Sequence, residues 1–309
     1  MTSTIRPESQ AQSSESDSPQ LPSFRVPSTY DELCELVRTN AVDVIYDSSY
    51  TGRTVIRLAP GVIMKCRGDF AEEVRATLYA RKRFSFPIPR VLHHPPLKDD
   101  PASAAGSSPQ EGPASRSPGV WYICTEQCPG VSLDKVIDTM TPAQLQHIAS
   151  QLRDILAEMD RLRPTTLGSV TGGPYRNEYF PLAILLPHAF SSYSAFLDRL
   201  REVLLVFATE TYTEDLLSKL PRDAGMRFAH ADLYPRNILV DGTTITGIID
   251  WATAGFWPDF WEYVYCAMHR SVTSSPGWER LLGLVFPGER RWDEIDAVTT
   301  LVSIIDRFC

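Results

Sequence analysis

A handful of polar residues within one short stretch have the types and spacing needed for phosphoryl chemistry. In FAHADLYPRNILVDGTTITGIIDWATAG, residues 228–255, His230-x-Asp232 is followed by Asn237 and then by Asp250. The apolar runs Ile238-Leu239-Val240 and Ile245 to Ile249 flank an Asp241-Gly242 turn signal, which predicts a hairpin. Such a hairpin brings Asn237 and Asp250 together at its open end. Two oxygen donors there, with room left for water and phosphate oxygens, suit Mg²⁺ held on a nucleotide. Asp232, on the loop just before, is placed to accept a proton from an attacking hydroxyl. A capping Asp and a turn Asn would each explain a fragment of the pattern. All four residues in this order favour phosphoryl transfer instead.

The rest of the chain must position this stretch. Thr29 and Glu32 form a capping box for a helix carrying Leu33, Leu36 and Val37. Val42–Tyr46, Thr54–Leu58 and Val62–Cys66 read as strands, with Pro60-Gly61 turning between the last two. A helix over about 71–82 follows, stopped by Phe86-Pro87-Ile88-Pro89, and then strands at Arg90–His93 and Val120–Cys124. After Pro129-Gly130 the period becomes helical. Thr141 and Gln144 cap a long helix whose Leu145, Ile148, Leu152, Ile155, Met159 and Leu162 recur at spacings of three and four. A second amphipathic helix runs through Phe196, Leu200, Val203 and Phe207.

This pattern predicts an α+β, two-lobed fold, with a β-rich N-terminal lobe over residues 28–128 and a mainly helical C-terminal lobe over 129–309. The cleft between them is the expected ligand site. Residues 1–27, rich in Ser, Pro and Gln, read as a disordered tail, and about 96–119 as a flexible insertion. A formal charge of −8 argues against a nucleic-acid partner, and no apolar run approaches a membrane span. The six cysteines are scattered without a CxxC pair, and no leader-like apolar core opens the chain. Reduced thiols in a cytoplasmic protein are expected. Oligomeric state is not legible.

The quoted residues resemble the aminoglycoside phosphotransferase family, a branch of the protein-kinase-like fold that phosphorylates small molecules. The likeness rests on His230-Ala231-Asp232-Leu233, Asn237 to Val240 and Ile248-Ile249-Asp250-Trp251. It extends to Leu167 to Pro174, Phe86 to Val91, Glu126 to Gly130 and Pro258 to Tyr263, and is nearest to fungal members. The resemblance implies an ATP- and Mg²⁺-dependent enzyme that moves the γ-phosphate to a hydroxyl of a small-molecule acceptor. Asp232 would be the base, with His230 orienting its loop, and Asn237 and Asp250 would hold the metal. Lys65 would contact the α- and β-phosphates, paired with Glu73 or, one residue earlier, Glu72. Glu126 to Cys128 would be the hinge that hydrogen-bonds adenine.

Departures from the family pattern are visible. The phosphate-covering loop, Asp47-Ser48-Ser49-Tyr50-Thr51-Gly52, has one glycine, so Ser48, Ser49 and backbone amides must do the covering. Ala231 stands where the family has Gly, and either Asp259 or Glu262 must brace the catalytic loop. Glu178, Asp259 and Glu262 are candidate acids for a cationic acceptor, and Trp257, Trp261 and Tyr175 candidate aromatics. A protein kinase fits less well: Tyr234 replaces its Lys, Trp251-Ala252 its Phe-Gly, and no Ala-Pro-Glu follows. A catalytically weak or dead nucleotide-binding protein is the other alternative, motivated by the glycine-poor loop.

Overall fold

A computed structural model describes residues 24–27, 29–39, 41–48, 53–97, 120–175, 186–268, 275–288 and 291–306. Most of the expected tail, the insertion over 98–119, Ser49 and Glu178 lie outside the described residues. Where the tail region is described, Phe24 and Val26 pack against the core of the first sheet, so residues 24–27 go with the folded part.

The chain opens with helix α1 (Tyr30–Arg38), whose N-cap Thr29 accepts the Glu32 amide as the capping pattern predicts. Strands β1 (Asp43–Asp47), β2 (Thr54–Ala59), β3 (Val62–Cys66), β4 (Val91–His93) and β5 (Tyr122–Glu126) form one antiparallel sheet in the order β1-β2-β3-β5-β4. Helix α2 (Ala71–Arg83) crosses between β3 and β4. The sheet sorts its faces by strand alternation. Val62, Met64 and Cys66 point into one core with Ile56, Leu33 and Cys124. Ile123, paired directly with Lys65, lies on the other face among Phe70 and Val74 of the α2 segment. Lys65 is therefore on the face that α2 covers.

After β6 (Val131–Ser132), helix α3 (Pro142–Met159) begins with the full Thr141/Gln144 box and buries the predicted apolar stripe, Leu162 remaining partly buried beyond its end. Then come β7 (Gly168–Ser169), α4 (Tyr193–Phe207), α5 (Glu210–Ser218), β8 (Met226–Ala229), β9 (Ile238–Asp241), β10 (Thr244–Ile248), β11 (Gly255–Pro258), α6 (Trp261–Met268), α7 (Pro276–Val285) and α8 (Trp292–Asp306). Two small antiparallel sheets, β10-β9-β6 and β7-β11-β8, sit among these helices and carry the loops of interest. The two-lobed expectation matches this architecture.

The β9–β10 hairpin is tied on several sides. Gln151 of α3 donates to Thr243 O at 2.7 Å and accepts from Ile245 N at 2.9 Å, while Ile248 N donates to Pro87 O at 2.9 Å. Gly247, at the hairpin's irregularity, lies against the Cys128 side chain, where a Cβ would come within 2.4 Å of Sγ. Gly130, between the lobes, has φ +86°, and a Cβ there would meet Val240 O at 1.9 Å. The Pro-Gly turn is thus a backbone-to-backbone contact only glycine permits.

Candidate active site

Strand β8 delivers the chain to His230, and the loop to Asn237 is folded by its own backbone. Tyr234 N donates to Asp232 O, and Asn237 N to Tyr234 O, each at 2.8 Å. Helix α6 braces the loop from below. Glu262 Oε2 accepts the amides of His230 at 2.5 Å and Ala231 at 3.2 Å, and Tyr234 Oη donates to Tyr265 O. Asp259 instead accepts the Gly225 amide, before β8, so the brace at the loop is Glu262. Ala231 has φ 59°, the left-handed region in which an L side chain is disfavoured by about 1–2 kcal/mol. Its anchored amide offsets that strain, and the same backbone explains a glycine preference at this position.

His230 is fully buried. Its Nε2 lies 3.0 Å from Ile249 O, and its Nδ1 accepts the Asp232 amide at 3.3 Å, an arrangement that suits a neutral ring. Burial pushes its pKa down to about 4. The ring packs edge-on against Trp251, whose centroid is 4.6 Å away. His230 thus joins the loop that carries Asp232 to the strand end that carries Asp250.

Asp232 is largely buried, and burial pushes its pKa up to about 7 against the pull of Arg236. Asn237 Nδ2 donates to Asp232 O and to Asp232 Oδ2, both at 2.8 Å. This leaves Asn237 Oδ1 as the acceptor end of that amide. Ile249 N donates to Asn237 O at 3.0 Å, which sets the Asn237 backbone beside the residue before Asp250 at the hairpin's open end. Asp250 has φ 65°, tolerated better by Asp than by most residues.

Lys65 Nζ lies 2.7 Å from Glu73 and 3.1 Å from Asp250, joining the two lobes. Burial alone would lower the lysine, and the two carboxylates more than offset it, so the ammonium stays charged. Burial pushes Glu73 up against the attraction of Lys65, whereas that attraction holds Asp250 below the usual range despite its burial. Glu72 faces Arg75 instead, at 3.7 Å. Lys65 is thus met by Glu73 alone of the two α2 glutamates. In the segment expected as a hinge, Gln127 N donates to Gly61 O and Glu126 N to Arg90 O, each at 2.9 Å. The Glu126 side chain reaches Arg90, and Cys128 is buried against Gly247. Ser48 N donates to Arg53 O across the β1–β2 turn.

The chain matches the model of the phosphotransferase enzyme family over residues 40–295. The chain belongs to that family. No curated protein matches it. Among solved structures, a thermostable mutant of aminoglycoside phosphotransferase APH(4)-Ia is similar with a TM-score of 0.56 at 13% identity, covering 87% of this chain and 88% of that one. The GDP complex of wild-type aminoglycoside 2'-phosphotransferase-IIIa is similar with a TM-score of 0.53 at 14% identity, covering 88% of each chain. A ternary complex of APH(4)-Ia with AMP-PNP and hygromycin B is similar with a TM-score of 0.52 at 13% identity, covering 88% and 96%. At these identities the likeness is one of fold, the two-lobed kinase-like fold of the phosphotransferases.

One feature of this phosphotransferase was not singled out in the sequence. Arg236 reaches back to Asp232, with Nη2 at 2.9 and 3.1 Å from its two oxygens. Its place directly before Asn237 was the available signal. The aromatics Tyr175, Trp257 and Trp261 are all buried and stacked on one another, at centroid distances of 3.8 and 4.7 Å. They are core, not an acceptor platform.

Glu262 has a titration consequence. Burial pushes its pKa up to about 7 from an ordinary value of 4.5, against the pull of the two amides. A carboxyl raised in the native state adds stability that is fully present below pH 4.5 and is lost as pH rises through about 7. Glu262→Gln keeps one oxygen for both amides and cannot ionise. The variant should gain on the wild type by up to about 3 kcal/mol between pH 4.5 and 8. Urea unfolding of both proteins across that range checks it. A difference that stays constant with pH would mean that folding leaves the Glu262 carboxyl unshifted.

Proposed function

We propose that this phosphotransferase is an ATP- and Mg²⁺-dependent kinase that transfers the γ-phosphate to a hydroxyl of a small molecule. The observation that carries the reading is that Lys65 meets Glu73 and Asp250 across the lobes at 2.7 and 3.1 Å, while Asn237 meets Asp232 at 2.8 Å and its carbonyl accepts the amide of Ile249, the residue before Asp250. In this reading Asp232 accepts the acceptor's proton, and His230 orients the loop that carries it. Lys65, steadied by Glu73, contacts the α- and β-phosphates. The backbone around Glu126 to Cys128 takes the adenine. The Gln127 and Glu126 amides are already committed, which makes Cys128 N–H the donor for the base. Ser48 and Ser49 belong to the loop over the phosphates.

The donor set fits magnesium. Asp250 and the amide oxygen of Asn237 are hard oxygen ligands, few enough to leave positions for water and phosphate. A bound Mg²⁺ would neutralise phosphate charge and fix the geometry of the β- and γ-phosphates. Asn237 would serve two purposes at once, steadying Asp232 with its nitrogen and the cation with its oxygen.

The similar structures complexed with GDP, or with AMP-PNP and hygromycin B, support a nucleotide and a small hydroxylated acceptor. Among the described residues no helix is long and apolar enough to cross a membrane. Free thiols at Cys34, Cys66, Cys124, Cys128 and Cys266 suit a reducing compartment, so we place the enzyme in the cytoplasm. The test is ATP consumption with Mg²⁺ against a panel of hydroxylated metabolites, with product identified by mass. A phosphorylated product is expected. Nucleotide binding without turnover on any acceptor would favour the inactive alternative.

A further inference from the structure

Arg236 is the cleft residue that the reading above does not use. It follows Pro235 in the catalytic loop, and one of its nitrogens, Nη2, reaches both oxygens of Asp232. Its guanidinium carbon lies 4.9 Å from the centroid of the Tyr234 ring. A guanidinium has five N–H donors, and the three on Nε and Nη1 have no partner among the described residues. The side chain is 56% exposed while that of Asp232 is 16% exposed, so the guanidinium lies on the solvent side of the pair.

We propose that Arg236 selects acceptors carrying an anionic group, a carboxylate or a phosphate, close to the hydroxyl that is phosphorylated. The inference rests on Asp232 being the base of a phosphotransferase. An acceptor hydroxyl must come within about 3 Å of Asp232, and a ligand anion within about 3 Å of the guanidinium already touching it. Hydroxyl and anion oxygen are then at most roughly 9 Å apart, a span that hydroxy acids and phosphorylated polyols meet. Guanidinium donors in a planar fork match both anions, often two bonds at a time.

Charge argues the same way. An anion approaching Asp232 and Asp250 meets two carboxylates, and Arg236 is the cation placed to offset them on the acceptor side, while Lys65 is held between Glu73 and Asp250. An amine-bearing acceptor would instead meet the guanidinium on its way to the base. A merely structural pair, four residues apart on the surface, would show no dependence on the acceptor's headgroup.

Four three-carbon probes that share a vicinal diol test this: glycerol, glycerate, glycerol phosphate and aminopropanediol. Their affinities are measured calorimetrically, with and without Mg·ADP, on the wild type, Arg236→Gln and Arg236→Lys. One or both anions should bind at least about tenfold tighter than glycerol, with the amine weakest. The anion-to-glycerol ratio should collapse in Arg236→Gln and largely survive in Arg236→Lys. The tighter of the two anions names the group. Equal affinities for all four probes, including none measurable, would overturn the proposal. So would a preference for the amine, or an anion preference that persists in Arg236→Gln. Failure of Mg·ATP to bind would sink the phosphotransferase reading instead, since headgroup preference is read from the acceptor probes alone.

Discussion

Asp232→Asn should lower turnover by about 10²–10⁴-fold on any acceptor the enzyme phosphorylates, with the protein still folded. The replacement is close to isosteric. Its amide oxygen can still accept from Arg236 and from Asn237, which reach the wild-type carboxylate at 2.8–3.1 Å. What disappears is the capacity to take a proton from an attacking hydroxyl. Stability should not fall by much, because the carboxyl is held at a cost in this buried position, as its pKa near 7 reflects. Nucleotide affinity should also be retained, since Lys65 is held by Glu73 and Asp250 and not by Asp232. Single-turnover kinetics separates the chemical step from binding. Wild-type turnover in a folded variant would remove Asp232 from the base's role.

What could be read beforehand depended on range. Elements with a local signature emerged within a residue or two, such as α3 with its capping box or the Asp-Gly hairpin, because periodicity and turn chemistry are properties of neighbouring residues. The two-residue strands β6 and β7 are too short to show any period, and only tertiary pairing defines them. The choice between Glu72 and Glu73 needed the rotation of α2, which depends on Phe70 and Val74 packing beside Ile123. Asp259 and Glu262 sit three residues apart where α6 begins, and the helix's start decides which one faces the loop. Gln151 is a polar position between the apolar residues of α3, with nothing local to single it out. Its grip on the hairpin spans more than ninety residues and leaves no local trace. The candidate site residues His230, Asp232, Asn237 and Asp250 could be singled out for the opposite reason: they are concentrated in one stretch, and the β9–β10 hairpin brings its ends together.

That hairpin sets up a second large effect, at Asp250. Its backbone is left-handed at φ 65°, so alanine would confound lost chemistry with lost conformation. Asn tolerates that region well, and Asp250→Asn therefore isolates the charge. Lys65 keeps Glu73 at 2.7 Å as an ionic partner, so the lysine is not left buried alone. If Asp250 and Asn237 hold the cation, the variant keeps two oxygen donors and no formal charge between them. Mg·ATP binding should then weaken by about 10²-fold or more, whereas metal-free nucleotide should bind as well or better, since a carboxylate facing the phosphates has gone. The sign of that second effect is what distinguishes the roles. A carboxylate that served only to anchor Lys65 would, on removal, loosen the lysine and weaken nucleotide binding equally with and without metal. Calorimetric titration of ATP into both proteins, with Mg²⁺ and with chelator, gives the four affinities required. Equal metal dependence in wild type and variant would take Asp250 out of the magnesium site.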